Sequence, residues 1–385
     1  MTALNVARPA WMTEDLVLLE EQARRFMRAE FTPHLDRWHD EGMYEREVWT
    51  RTGAAGLLCA AMPEAYGGAG GTFAHEAVII REISLAGFDA FGAQLHSAIV
   101  APYILHYGTE EQKQRWLPKL ATGELVGAIA MTEPGTGSDL QAVRTSAKKS
   151  GNGYVLNGAK TFITNGQHAN LIIVVAKTDP GERAKGVSLM VVETDDAQGF
   201  RRGRKLKKLG LHAADTSELF FDDVALPAAS LLGTEEGQGF AQLMSELPQE
   251  RLIVATHAVA MMERALELTI AYVKERQAFG KKIIEFQNTQ FVLAECKTEA
   301  TIAKVFLDYC IGLHLEGKLD SATASMAKYR LTDLLGTLVD RCLQLFGGYG
   351  YMDEYPISRL YRDARVMRIY AGTNEIMKLL IARGL

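Results

Sequence analysis

The chain has 385 residues, 48% of them hydrophobic and 23% charged, with a formal net charge of −5. Such a length allows two or three domains with full cores, and the acidic balance leaves no global basic field for nucleic acid. No apolar run reaches the roughly 18 residues of a membrane span, and the N-terminal stretch, acidic by Glu14 and Asp15, has the pattern of neither a signal nor a transit peptide.

Residues 1–125 read as a helical domain. Leu16, Leu19, Ala23 and Phe26 recur at helical spacing behind Thr13, a cap with acids in the first turn. A glycine-rich loop, Pro63 to Gly71, interrupts, and helices are expected again at His75–Ala86 and Leu95–Tyr107. Thr109 and Gln112 form a capping box for the next one. Over 126–232 the period changes to short β-branched runs, Leu171–Ala176 and Val187–Val192 among them. Gly153–Gly158 reads as a strand ending in a hairpin dipeptide, Asn157-Gly158. No helix separates these runs, so the sheet should be antiparallel, a barrel or sandwich. The basic run Arg201–Lys208 reads as a solvated hairpin face. Residues 233–385 return to helices, at 240–276, 287–316, 320–345 and Asn374–Ala382. The class is therefore α+β. Cys59, Cys296, Cys310 and Cys342 are scattered without a CxxC pair, which points to buried thiols in a reducing, cytoplasmic setting. No histidine or cysteine spacing fits a metal site.

The chemistry gathers around Leu247–Ala255, where Glu250 and Arg251 precede an apolar run that continues to Met262. A helix apolar on every side is buried. Desolvation there raises a carboxyl above its ordinary value of about 4.3, towards that of a general base. The alternative is a simple Glu250–Arg251 pair. Met131–Asp139 (MTEPGTGSD) is a tight turn whose amides and hydroxyls suit ring or phosphate oxygens. Phe162 and Thr164, two apart, put an aromatic and a hydroxyl on one side of a strand. Arg276, at a helix end beside a glycine turn, fits a phosphate contact. Gln344–Pro356 lets backbone approach a ligand closely but is no dinucleotide fingerprint. Thr373 caps the last helix, whose N-terminus suits a polar cofactor edge.

Together these strings resemble the acyl-CoA dehydrogenases from end to end. MTEPGTGSD and QLFGGYGYMDEYPISRLYRD match both signatures of that family, with FITNG, RQAFGKKIIEFQ and YAGTNEI in order between and after them. ELPQERL, LDSATASMAKY and AGTNEIMKLLIAR resemble the long-chain type. The resemblance implies a C-terminal four-helix bundle and FAD in a cleft between the β domain and the C-terminal helices. It also implies a homotetramer and an electron-transferring flavoprotein as acceptor. Ile129, Met131, Thr132, Gly137, Ser138, Phe162 and Thr164 would hold the flavin ring. Arg276 and Gln287 would come from a neighbouring subunit, with Phe279, Gln344, Gly347, Gly348, Thr373 and Glu375 completing the site. Ser138, Pro248, Gln249, Arg251, Ala371 and Gly372 would meet the acyl-CoA. Short- and medium-chain members carry the catalytic glutamate where this chain has Ala371; the long-chain and isovaleryl types carry it at the position of Glu250. The expected reaction is α,β-dehydrogenation of a long straight-chain acyl-CoA, with Glu250 as base and the Ala371 amide on the thioester oxygen. A branched acyl-CoA, a non-catalytic flavoprotein and an oxidase are the alternatives, and small Gly92, Ala93 and Ala241 point to a deep acyl pocket.

Overall fold

The structure, a computed structural model, describes residues 3–385. Its first helices are α1 (Glu14–Glu30), α2 (Leu35–Glu41), α3 (Glu47–Ala54) and α4 (Phe73–Ala86). A broken helix follows, α5 (Ala93–Leu95) and α6 (Ala101–Tyr107), and then α7 (Glu110–Ala121). The Thr109–Gln112 capping box at α7 is present in both directions. The expected continuous helix over Leu95–Tyr107 is instead interrupted by a π turn at His96–Val100. The physical reason is visible in its partners. A π turn releases backbone groups from the α ladder, and here the Ala98 carbonyl accepts from Gln249 Nε2 at 2.8 Å.

Seven strands form one sheet: β1 (Gly127–Ala130), β2 (Ser146–Ser150), β3 (Gly153–Thr164), β4 (Leu171–Lys177), β5 (Val187–Glu193), β6 (Phe200–Lys205) and β7 (Thr216–Pro227). Most pairs are antiparallel, as expected from the missing crossover helices. Two are not: β1 and β2 both run parallel to β4. The chain between these partners runs through other strands of the sheet rather than a crossover helix, β2 and β3 for the first pair and β3 for the second, a connection that strand period alone does not reveal. Asn157-Gly158 is a correction too. It lies inside β3 at a bulge, where Gly158 has φ +152° and a Cβ would stand 2.4 Å from Thr145 Oγ1. The Asn157 amide instead reaches across to Asp223, donating to Oδ1 at 2.9 Å and accepting from its N–H at 2.9 Å. The turn sits earlier, between Ser150 and Gly153. The basic run lies largely on β6 and is solvated on one face only: Arg201, over the Phe220 ring at 4.4 Å, and Arg204 are exposed, while Arg202, Lys205 and Lys208 are half-buried and donate to the Ala169, His212 and Ala214 carbonyls.

The C-terminal part holds α8 (Gly239–Glu275), a small hairpin of β8 (Gln277–Ala278) and β9 (Lys281–Lys282), α9 (Gln287–Leu315) and α10 (Ser321–Gln344). Two short helices, α11 (Pro356–Ala364) and α12 (Asn374–Ala382), pack on α10. The bundle is the expected one with one addition: α11 lies between the glycine-rich break and the helix at Asn374–Ala382, where the sequence pattern predicts no helix. Pro356 at its first position is a start signal that was passed over. Among the described residues no helix is long and apolar enough to cross a membrane, and all four cysteines are buried and free.

The N-terminal helices meet the sheet through an aromatic cluster. Trp38 stacks on Phe88 at 4.6 Å and Phe88 on Phe91 at 5.3 Å, with Phe31 and Tyr44 edge-on to both phenylalanines. This cluster anchors the turn that leads into the broken helix. Phe88→Ala is expected to destabilise the holoprotein by about 3–5 kcal/mol in denaturant unfolding, the usual cost of emptying a fully buried aromatic site. An unchanged unfolding midpoint would show that the cluster does not carry this junction.

Candidate active site

Glu250 stands two residues after Pro248, inside α8, on a stretch buried from Glu250 to Met262. It is 5% exposed, and Tyr103, itself fully buried on α6, donates its hydroxyl to Oε1 at 2.8 Å. Burial raises the carboxyl to about 7; the nearby Glu246 charge adds to the rise, while the Tyr103 bond and Arg251 oppose it. Glu246 lies one turn earlier and faces His106 Nδ1 at 2.8 Å. That bond raises the His106 pKa. The simple Glu250–Arg251 pair is absent. The two residues are consecutive, but the Arg251 guanidinium turns to Ser321 Oγ at 2.8 Å and has no carboxylate within ion-pair distance among the described residues. It is 3% exposed, and its Nε has no hydrogen-bond partner among the described residues. Gln249 is fully engaged by Ala98 and by His314 Nε2 at 2.9 Å.

The turn before α12 is unusual backbone. Ala371 has φ 52° and Gly372 φ 85°, so two consecutive residues lie in the left-handed region. That is natural for glycine and strained for alanine. Thr373 then caps α12, accepting from the Ile376 N–H. The Ala371 N–H has no partner among the described residues. An N–H of this kind is available to an incoming oxygen.

The Met131–Asp139 turn is held from beneath by a pair that sequence reading did not single out. Lys160 has no exposed side-chain surface and donates to the Met131 carbonyl at 3.0 Å and to Glu133 Oε1 at 2.9 Å. Glu133 also accepts from the Arg144 and Thr145 amides. Burial pulls the Lys160 pKa down to about 8 against the pull of Glu133. The Thr161 N–H donates to the Thr132 carbonyl at 2.9 Å, which sets the turn beside the end of β3. There Phe162, with φ 61°, presents its ring 67% exposed. Ile129 is buried, Met131, Thr132 and Thr164 are half-buried, and Gly137 and Ser138 are exposed. A Cβ on Gly135 or Gly137 would have no neighbour within 4 Å. An outward aromatic beside an open, polar turn fits the flat ring and polar edges of FAD. Among the described residues no cluster of histidine, cysteine, aspartate and glutamate could hold a metal ion.

The remaining candidates sit elsewhere. Arg276 follows the far end of α8, roughly 39 Å from Glu250 at the helical rise of about 1.5 Å per residue. Its guanidinium lies over the Tyr349 ring at 5.3 Å, which brings the Gln344–Gly348 segment to the same place. Phe279, at the hairpin tip, is 95% exposed, and Gln287 opens α9 on the surface. Six candidates, Arg276, Phe279, Gln287, Gln344, Gly347 and Gly348, therefore gather at one end of the subunit, away from Glu250, Ala371 and Gly372. Gly92, read as room for an acyl chain, is small for another reason: a Cβ there would stand 2.0 Å from Asn165 Oδ1.

Three family models match in chain order. The acyl-CoA dehydrogenase N-terminal domain covers 13–124, the middle domain 128–224 and the C-terminal domain 237–385. The chain is 50% identical over 368 residues to the mitochondrial long-chain specific acyl-CoA dehydrogenase of Mus musculus, covering 95% of this chain and 85% of that one. A crystal structure of an acyl-CoA dehydrogenase from Geobacillus kaustophilus superposes with a TM-score of 0.95 at 50% identity, covering 98% of this chain and 99% of that chain. A glutaryl-CoA dehydrogenase from Mycobacterium smegmatis, solved in complex with FADH2, superposes with a TM-score of 0.90 at 29% identity, over 97% and 94% of the two chains. The chain belongs to the acyl-CoA dehydrogenase family of oxidoreductases.

Proposed function

We propose that this protein removes the α- and β-hydrogens of a long straight-chain acyl-CoA, with Glu250 as the base. One observation carries the reading: a nearly dry carboxyl at about 7 that has no cation at contact distance among the described residues. FAD is the cofactor of the family, and when bound it supplies the acceptor for the hydride from the β-carbon. Glu250 takes the α-proton, and a base titrating near neutrality balances its deprotonated fraction against its proton affinity. Tyr103 holds the carboxylate in one rotamer and keeps it from rising further. The Ala371 N–H donates to the thioester oxygen, where charge develops as the proton leaves. Arg251, buried with one hydrogen bond, is a cation waiting for an anionic or carbonyl group of the substrate. Pro248, Gln249, Ser138 and Gly372 shape the substrate's path around it.

Ile129, Met131, Thr132, Gly137, Ser138, Phe162 and Thr164 would hold the flavin ring, with Thr373 and Glu375 completing the site. We assign Arg276, Phe279, Gln287, Gln344, Gly347 and Gly348 to the cofactor of a neighbouring subunit, a reading that their distance from Glu250 along α8 supports. A homotetramer supplies that neighbour, and α9 carries an apolar stripe suited to an interface: Phe291, Ile302, Val305 and Tyr309 are each more than half exposed. Large exposed apolar patches of this kind mark association sites. The long-chain preference is supported by the 50% identity to the Mus musculus protein. An electron-transferring flavoprotein as acceptor follows from the family resemblance.

Anaerobic mixing with saturated acyl-CoA thioesters of graded length and branching tests the reading. Flavin bleaching should be fastest with long straight chains; fastest bleaching with a branched thioester would reassign the substrate, and none with any would overturn the activity. Glu250→Gln should retain FAD and bind substrate but lose turnover by roughly four orders of magnitude or more, the scale of removing an essential base. Near-normal turnover would place the base elsewhere. Tyr103→Phe removes a donor that favours the charged carboxyl, so the Glu250 pKa should rise. The acid limb of the pH–rate profile should then move to higher pH by about one unit, since a bond to a charged group is worth roughly 1.5–3 kcal/mol. A limb that stays in place or moves to lower pH would contradict the assigned role.

A further inference from the structure

Lys328 lies on α10 with no exposed surface. Its ammonium donates to the Gly372 carbonyl at 2.7 Å and to Asn374 Oδ1 at 2.9 Å. Both acceptors are neutral. Burial lowers its pKa to about 8; the more distant Asp333 and Glu375 charges pull upward, and Arg251 pushes it further down. An ammonium buried without a carboxylate at contact is a costly way to brace a turn, since a neutral donor could make comparable bonds.

The Asn374 side chain cannot turn away from it. The amide Nδ2 is committed to Asp333 Oδ1 at 2.8 Å, Thr332 Oγ1 at 3.0 Å and the Tyr329 carbonyl at 3.3 Å. Oδ1 therefore faces Lys328, which is held between two fixed oxygens on either side of Thr373. The residue just before this clamp is Ala371, left-handed and with its N–H free.

We propose that Lys328 is a positioning residue for the reaction, clamping Gly372 and Asn374 so that the free Ala371 N–H is aimed at the thioester oxygen. The inference rests on the dehydrogenase reading above and extends it to a residue that touches neither substrate nor flavin. Its charge has a second consequence. A fixed cation one residue behind the amide strengthens that donor where negative charge develops, and does so without reorganisation. The bond to the Gly372 carbonyl also holds the alanine in a conformation it would otherwise leave. Arg251, close enough to shift the Lys328 pKa, adds to the same positive field.

The test uses the FAD-loaded wild type and Lys328→Met. Each is titrated over a pH range with a 3-thia-acyl-CoA, a thioester that the enzyme cannot oxidise and whose acidified α-proton is lost on binding. The enolate gives a long-wavelength absorption band against the flavin, so the midpoint of the band reports the stabilisation of the thioester oxygen. Lys328→Met should bind the analogue within about threefold of wild type, while the band midpoint moves up by roughly one unit or more and kcat falls roughly a hundredfold, as when an oxyanion donor is misplaced. Lys328→Arg keeps a cation but not the single-point clamp, and should recover part of both losses. A folded, flavin-loaded Lys328→Met with a wild-type band midpoint and kcat would overturn the inference alone. Failure of both variants to fold or retain FAD would make Lys328 a structural residue and equally count against it. Absence of any band and any bleaching in the wild type would overturn the dehydrogenase reading itself, and the inference with it.

Discussion

The structure depends on keeping one carboxyl dry without giving it a counter-ion. Glu250 has the surroundings that ordinarily force a buried acid either to pair or to stay protonated. The adjacent Arg251 would be the obvious partner, but a helix sends consecutive side chains about 100° apart, and Arg251 finds Ser321 instead. What Glu250 receives is one neutral donor, the Tyr103 hydroxyl. The outcome is a group near neutrality, able to exist in both protonation states.

The rest of the molecule can be read as support for that arrangement. Tyr103 can reach Glu250 because the π turn at His96–Val100 resets the helix that carries it. That turn is pinned by His96, whose Nδ1 accepts from the Gly127 N–H at 3.0 Å while Nε2 faces the Leu120 carbonyl at 2.9 Å. Burial lowers the His96 pKa to about 4, which keeps the ring neutral and these two roles fixed. Gly127 opens β1, and the Met131–Asp139 turn begins where β1 ends. The helix whose Tyr103 reaches Glu250 and the strand that leads to that turn are thus tied at one histidine. Opposite them, the two left-handed residues Ala371 and Gly372 expose an amide. On the proposed function, three elements distant in sequence would meet at one carbon of the substrate.

Much of this was legible in the sequence, and what was not has a common cause. The long helices, the capping box at Thr109, the glycine turn and the buried acid all follow from local period and composition. Glu250 stood out because the stretch from Leu252 to Met262 after it is apolar apart from Thr256 and His257. Tyr103 did not, because a tyrosine in a helical stretch carries no sign of a partner 147 residues away. Lys160 and Glu133 were hidden for the same reason: each looks like a surface charge until the fold removes water from both. Asn157-Gly158 misled because the same dipeptide serves a hairpin and a bulge, and the cross-strand Asp223 decides between them. Gly92 misled because a glycine marks close approach without naming what approaches; here it is Asn165 rather than an acyl chain.

The most direct measurement is the rate at which excess saturated long-chain acyl-CoA bleaches the flavin of the wild-type protein, without oxygen, as a function of pH. A base buried as Glu250 is must lose its proton before it can act, so the rate should rise through a single ionisation near pH 7. A rate that is flat across that region, or that rises only around the ordinary glutamate value of about 4.3, would contradict the account.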